Sequence, residues 1–335
     1  MKIALCTGTN GQDGSYLAEL LLSKGYMVYG LDRYKSSLNY RNINHLIPNP
    51  NFKLISGNML DGDRLREIVK TIHPDEIYNL AAQSHVGESF KQPLYTSDVN
   101  AMGTLRLLSA MEKEAPSAKF YQASTSELFG DRPSGEFQTE ETPFNPRSPY
   151  GVSKLFAHHM TKNYREKGFF CCSGVLFNHE SERRGDNFVT KKITNAVAAI
   201  HLGKQSKLQL GNLDSMRDWG HAKDYVYGMW LMLQQETPGD YILASGETNS
   251  VRKFVELAFS AVNIEIAWIG EGINEIGCNS KTSQVLVEVN PEFYRPTEVS
   301  YLCGDSTKAR TILGWNPTID LKSMTYGMVF DAIDY

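Results

Sequence analysis

From residue 2 onward the chain alternates short apolar runs with longer stretches in which apolar residues recur every three or four positions. Short apolar runs bounded by turn residues predict buried strands, and the wider spacing predicts helices. Ile3 to Cys6 reads as a first strand, Ser15 to Ser23 as a helix with Leu17, Leu20 and Leu21 on one face, and the run ending at Asp32 as a second strand. The alternation continues with strands at Phe52 to Ile55 and Glu76 to Leu80 around a helix from Asp63 to Thr71, where Leu65, Ile68 and Val69 point inward. A helix from about Asn100 to Lys113, a strand from Lys119 to Ala123, a helix from about Pro149 to Lys167 and a strand from Cys172 to Phe177 complete the series. Repeated strand-helix units predict a parallel sheet covered on both faces, with ligands beyond the C-terminal strand ends.

After Asn178 the pattern loosens. A polar segment from His179 to Asn187 precedes a predicted helix from Val189 to Leu202, a strand from Lys207 to Leu210, a loop at Arg217-Asp218-Trp219 and a helix from Tyr225 to Gln235. Gly239 to Ala244 reads as a strand returning to the main sheet, and the remainder has shorter elements and a loop from Phe293 to Glu298. The expected fold is α/β: a Rossmann-type doubly wound parallel sheet with a smaller interleaved α/β substrate domain. Its boundaries are expected at 1–178 plus about 221–247 for the dinucleotide-binding part, and about 179–220 plus 248–335 for the substrate part.

Composition narrows the function. A chain of 335 residues, 21% charged and with net charge −4, can bury a large core and has no Lys/Arg tract of the kind that follows a nucleic-acid backbone. The first strand starts at residue 2, leaving no room for a signal peptide, and no apolar run approaches the length of a membrane span. A soluble, cytoplasmic protein without nucleic-acid or membrane partners is expected. The five cysteines form no C-x-x-C and read as buried reduced thiols. His158 and His159 are adjacent, about 100° apart on a helix, so no metal site is expected.

Two stretches carry chemistry. Gly8, Gly11 and Gly14 form G-x-x-G-x-x-G between the first strand and its helix, where a backbone without side chains lets a pyrophosphate approach the helix N-terminus. Tyr150 and Lys154 form Y-x-x-x-K at the start of a helix, on one face. A free phenol is a poor base at neutral pH, and a neighbouring ammonium together with a positive nicotinamide ring favours its phenolate. Ser124-Thr125-Ser126-Glu127 leaves a strand at the ligand end of the sheet. Its hydroxyls suit a sugar, and a carboxylate there suits abstraction of a carbon-bound proton, which simple alcohol oxidation does not need.

Eight stretches spread over nearly the whole chain carry a closer resemblance: Thr7 to Tyr26, Pro74 to Phe90, Asp98 to Leu108, Phe120 to Gly130, Pro146 to Lys154, Leu176 to Ile193, Gly211 to Gln235 and Arg295 to Ala309. In them the chain resembles the GDP-mannose 4,6-dehydratases, members of the extended short-chain dehydrogenase/reductase family. The resemblance implies a lyase that turns GDP-D-mannose into GDP-4-dehydro-6-deoxy-D-mannose and water. Tyr150 would take the proton of the 4-hydroxyl as hydride leaves C4, with Lys154 tuning it. Glu127 would take the C5 proton, Thr125 and Glu127 would assist departure of the C6 hydroxyl, and the hydride would return to C6. Dehydration of another GDP-sugar, such as a GDP-heptose, and a non-catalytic nucleotide-sugar sensor are the alternatives.

The resemblance also implies ligand contacts. Gly8, Asn10, Gly11, Gln12, Asp13, Gly14, Asp32, Arg33, Asn58, Met59, Leu80, Ala81, Ala82, Ser84, Tyr95, Tyr150, Lys154, His179 and Arg184 would hold the cofactor. Ser84, Glu127, Asn178, Glu180, Lys192, Arg217, Arg295 and Glu298 would hold the GDP-sugar. An Arg183-Arg184-Gly185 loop that reaches a neighbouring subunit in relatives implies a homodimer or homotetramer. One departure bears on the cofactor. Where the family reads Arg-Arg after the second strand, this chain has Asp32-Arg33, and an acidic residue there ordinarily binds the ribose of NAD. NADP is expected on the resemblance, with Arg33, Lys35 and Ser36 as its phosphate pocket, and NAD stands as the alternative because of Asp32.

Overall fold

The computed structural model describes residues 1–34, 40–293 and 299–334. Lys35, Ser36, Arg295 and Glu298 therefore lie outside the described residues. Through the first half the chain runs β1 (Ile3–Thr7), α1 (Gln12–Ser23), β2 (Met27–Asp32), β3 (Phe52–Ser56), α2 (Gly62–Ile72) and β4 (Glu76–Asn79). Two short helices follow, α3 (Val86–Lys91) and α4 (Pro93–Ser97), then a π-helical turn at Asp98–Met102 that leads into α5 (Gly103–Glu114). Next come β5 (Lys119–Ala123), α6 (Pro149–Glu166), β6 (Cys171–Leu176), β7 (Asn178–Glu180), α7 (Val189–His201), β8 (Leu208–Leu210), β9 (Met216–His221), α8 (Ala222–Gln234) and β10 (Asp240–Leu243). The C-terminal part holds β11 (Thr248–Ser250), α9 (Val251–Ser260), β12 (Ile266–Ile269), β13 (Ile276–Asn279), β14 (Val285–Val289), α10 (Thr307–Leu313) and α11 (Leu321–Asp334).

Seven strands form the main sheet in the order β10-β6-β5-β4-β1-β2-β3, every pair parallel. The order reverses direction on either side of β1, which places the ligand crevice at the ends of β1 and β4. All six residues of β6 are buried, Cys171 and Cys172 among them. All five cysteines are buried free thiols, as their settings predicted.

The two sheet faces bury separate cores. Leu17, Leu21, Val28, Tyr225, Met229 and Trp315 pack on the α1 and α8 side, while Leu65, Ile68, Leu107, Met111 and Phe120 pack on the α2 and α5 side. A third core of Ile193, Val197, Phe254, Phe259, Leu286 and Met328 lies among α7, α9, α11 and the four-stranded sheet β12-β13-β14-β8. The return strand β10 pairs with β6 as its apolar run predicted.

One expectation is corrected. Arg217-Asp218-Trp219 is the middle of β9, which pairs parallel with β7 and antiparallel with β11. Its polar residues tolerate burial because they are bonded: the Asp218 carboxylate accepts from Ser245 N and Oγ, Gly246 N and Gly304 N. Burial pulls the Asp218 carboxyl up to about 6 against these donors.

Candidate active site

The glycine turn shows why its residues are small. Gly14 packs so tightly under the turn that a Cβ there would sit 2.4 Å from the Gly8 oxygen and 2.6 Å from Thr9 Cα. Gly11 caps α1 with no side-chain hydrogen bond, so the first N–H groups of the helix are not claimed by a capping side chain. Thr7 Oγ1 accepts from Leu80 N and Ala81 N, both at 3.0 Å, and so joins this turn to the end of β4. Asn10 O accepts from Asn42 Nδ2 at 3.1 Å. Along the sheet, Asn58 turns the chain by accepting from Leu60 N, and Met59 is buried against Gly103. Ala82 and Ser84 continue the loop after β4, Ser84 being exposed. Asp32 Oδ1 accepts from Arg33 N at 2.9 Å, and Arg33 Nη1 donates to the Tyr95 hydroxyl at 2.8 Å. Thus the expected cofactor residues from Gly8 to Tyr95 lie along one edge, the C-terminal ends of β1 to β4.

The helix that carries Tyr150 starts from Ser148, whose hydroxyl accepts from Gly151 N at 3.0 Å, with Pro149 in the first turn. Both Tyr150 and Lys154 are buried. Thr125, Glu127 and Arg184 all lie close enough to the Tyr150 phenol to act on it. Burial pushes the phenol up to about 12; Thr125 and Arg184 pull it down and Glu127 pushes it up. Lys154 Nζ donates to Ala123 O at 2.9 Å, and burial brings its ammonium down to about 8. Desolvation is therefore the largest influence on both the phenol and the ammonium.

Thr125 caps a short 3-10 turn at Ser126–Leu128, accepting from Glu127 N at 3.3 Å, which fixes the backbone from which Glu127 projects. Sequence reasoning missed a supporting network behind Tyr150. Ser153 Oγ donates to Tyr150 O at 2.7 Å and accepts from Asn100 Nδ2 at 3.1 Å, and the Asn100 amide also exchanges bonds with Gln83 N and O. Asn100 sits in the π-helical turn, so the wide turn, and no particular spacing in the sequence, aims it.

His179 and Arg184 reach the same crevice from β7 and the loop after it. His179 Nδ1 bonds Phe177 O at 2.7 Å and Nε2 bonds Asp13 Oδ2 at 2.8 Å, while its ring stacks on Tyr225. Burial opposes a charge on the imidazole, but the Asp13 carboxylate overcomes it and raises its pKa. Gln12 joins the same seam, donating to His179 O and accepting from Ser181 Oγ. Arg183 stacks over Tyr16 and pairs with Glu19 at 2.6 Å.

The expected sugar-nucleotide residues are less uniform. Glu180 is buried, with its carboxylate taken up by Arg184 at 3.0 Å and Thr190 Oγ1 at 2.6 Å. Asn178 stands opposite Trp219 in the β7-β9 pairing, and Arg217, also on β9, donates from Nη1 to Met216 O at 2.9 Å. Lys192, on the first turns of α7, places Nζ 3.6 Å from the centroid of the Phe293 ring. Among the described residues no cluster of three or more His, Cys, Asp or Glu could hold a metal ion, and no helix is long and apolar enough to cross a membrane.

A buried phenol and amine one helical turn apart, facing the ligand edge of a parallel doubly wound sheet, is the arrangement of a short-chain dehydrogenase/reductase. Solved structures agree on the fold. The dTDP-glucose 4,6-dehydratase of Bacillus anthracis in complex with NAD superposes with a TM-score of 0.81 at 22% identity, covering 99% of this chain and 96% of that one. RMD from Pseudomonas aeruginosa complexed with NADPH gives 0.78 at 22% identity over the full length of both. Sequence comparison goes further: the family model for GDP-mannose 4,6 dehydratase matches residues 5–328, and the chain belongs to that family. The GDP-mannose 4,6-dehydratase of Sinorhizobium fredii is 51% identical over 100% of this chain and 97% of its own length. The human GDP-mannose 4,6 dehydratase is likewise 51% identical, over 99% of this chain and 92% of its own.

Proposed function

We propose that the protein dehydrates GDP-D-mannose to GDP-4-dehydro-6-deoxy-D-mannose, using a tightly held NADP. The observation that carries this reading is that a hydroxyl and a carboxylate, Thr125 and Glu127, stand just beyond the end of β5 and both act on the buried Tyr150 phenol. Oxidation alone would need only the phenol and amine. Family membership and half-identical relatives named as this enzyme support the same substrate.

The residues fit a dinucleotide. The uncapped N-terminus of α1 and the close-packed Gly14 offer N–H groups to a pyrophosphate. Arg33, held by Tyr95 beyond the end of β2, supports a 2′-phosphate, and one oxygen of Asp32 is engaged by the backbone of Arg33. A bound oxidised nicotinamide would supply reversible hydride transfer for C4 and C6 and a positive charge that would lower the phenol.

Within the protein, Tyr150 accepts the proton of the sugar 4-hydroxyl, and Thr125 stabilises the phenolate by donating to it. Lys154, tied to Ala123 O and with its ammonium near 8, holds the ribose side of the site. The 4-ketone acidifies C5–H. Glu127 takes that proton and delivers it to the departing C6 hydroxyl, which leaves as water. The proton left on Tyr150 balances the one C5 takes up as hydride reaches C6, so no net proton is gained or lost. Incubation of the purified protein with GDP-mannose tests the reading: a product lighter by one water, with a 6-methyl signal by NMR, supports it, and unchanged substrate refutes it.

A further inference from the structure

The contact between His179 and Asp13 leaves neither ring nitrogen of the buried imidazole to spare. Nδ1 lies 2.7 Å from Phe177 O and Nε2 lies 2.8 Å from Asp13 Oδ2, while the Tyr225 ring of α8 stacks on the imidazole with centroids 4.7 Å apart. A carbonyl oxygen only accepts, and so does an ionised carboxylate. Two acceptors call for two N–H donors, which an imidazole has only when protonated.

The surrounding charges favour the same form. Arg184, from the loop after β7, acts on both members of the pair, and Asp13 is close enough to act on Tyr150 and Lys154 of α6 and on Tyr121 of β5. Burial is the largest influence on each member and opposes its charge, yet the partner prevails: the imidazole is raised and the Asp13 carboxyl lowered. Gln12 closes the contact, donating from Nε2 to Asp13 Oδ1 at 2.9 Å and to His179 O at 3.1 Å. Asp13 stands in the first turn of α1, directly after the glycine turn, whereas His179 stands on β7 between Asn178 and Glu180 and pairs with Gly220 of β9. The pair thus joins the helix that faces a dinucleotide to the small sheet that carries Asn178 and Arg217.

We infer that the His179 ring is a protonated tie within the protein and not a ligand of the dinucleotide: paired with Asp13, it fastens β7, and through it β9, to the first turn of α1. The test is magnetic resonance of the full-length protein with ¹⁵N-labelled histidine. At about pH 7, above the ordinary imidazole midpoint of about 6.5, the signal that vanishes in His179→Gln should show protons on both ring nitrogens and keep them when NADP is added. In Asp13→Asn, whose amide can donate to Nε2, the same ring should turn neutral with its proton on Nδ1. Amide hydrogen exchange reads the fastening. Asp13→Ala removes a bond between charged groups, so the amides of β7 should open about 10- to 100-fold more readily, and Asp13→Asn should recover most of that protection. A neutral His179 ring in the parent, a doubly protonated ring that survives in Asp13→Asn, a ring that gives up a proton to NADP, or unchanged exchange in Asp13→Ala overturns the inference. The Asp13→Asn spectrum decides the matter even where Asp13→Ala does not fold. None of these readouts uses turnover, so the tie and the dehydratase reading fail separately.

Discussion

Replacing Glu127 by glutamine separates the two halves of the proposed reaction. The substitution keeps size and shape, and the 3-10 turn that presents the side chain is fixed through its backbone, by Glu127 N to Thr125 Oγ1, Leu128 N to Thr125 O and Asn145 N to Leu128 O. What disappears is a proton acceptor, worth a factor of about 10² to 10⁴, or about 3 to 5 kcal/mol of barrier. Overall turnover should fall by that factor. Oxidation at C4 should survive, so reduced nicotinamide accumulates in a single turnover, and C5 should stop exchanging with D₂O. The pH profile supplies a second, independent sign. The Glu127 carboxylate pushes the Tyr150 phenol up, so neutralising it lowers the phenol and raises the phenolate fraction at a given pH. The oxidation profile should therefore move toward acid in Glu127→Gln. Thr125→Val, which removes a group that pulls the phenol down, should move it toward alkali. Stopped-flow absorbance of the reduced cofactor over a pH series reads both. Product at the parental rate, or the same direction of shift in both variants, would refute the reasoning.

Three further outcomes follow from the geometry. Gly14→Ala forces a Cβ to within 2.4 Å of the Gly8 oxygen, and the overpacking should cost about 1 to 3 kcal/mol and weaken dinucleotide binding, read by chemical denaturation and by cofactor titration. Arg33→Ala should weaken NADP binding about tenfold or more and leave NAD binding unchanged; equal losses for both would remove Arg33 as the phosphate ligand. His158 is buried beside Phe144 and 4.0 Å from Asp240, and burial holds its imidazole down at about 4. Because this folded value lies below the unfolded one of about 6.5, the unfolded chain binds the extra proton first, and about 3 kcal/mol of stability is lost as pH falls from 6.5 to 4. His158→Gln should flatten the stability curve across that window, measured by urea denaturation.

The main sheet was legible because each of its units is local: an apolar strand, a turn and an amphipathic helix succeed one another within a few tens of residues. Tyr150 and Lys154 were legible for the same reason, being four residues apart on one helix. What escaped was non-local. The strand β9 reads as a loop because Arg217 and Asp218 are polar, and only its pairing with the three-residue strands β7 and β11 makes their burial acceptable. The bond between His179 and Asp13 spans 166 residues, and no spacing announces it. Asn100 was aimed by a π-helical turn whose sequence resembles ordinary helix. The tuning of Tyr150 depended on burial, which a motif does not carry: the paired lysine alone does not set the phenol, whose protein surroundings hold it at about 12.

The central claim is that one hydride leaves C4 of the sugar and comes back at C6 of the same molecule, while Tyr150 and Glu127 handle the protons. Incubating the protein with GDP-mannose carrying deuterium at C4 follows that hydride directly. The account predicts a 4-keto product whose 6-methyl group carries the deuterium, with no label released to water and none left on the cofactor after turnover. Deuterium found in solvent, or a 6-methyl group without it, would contradict the account.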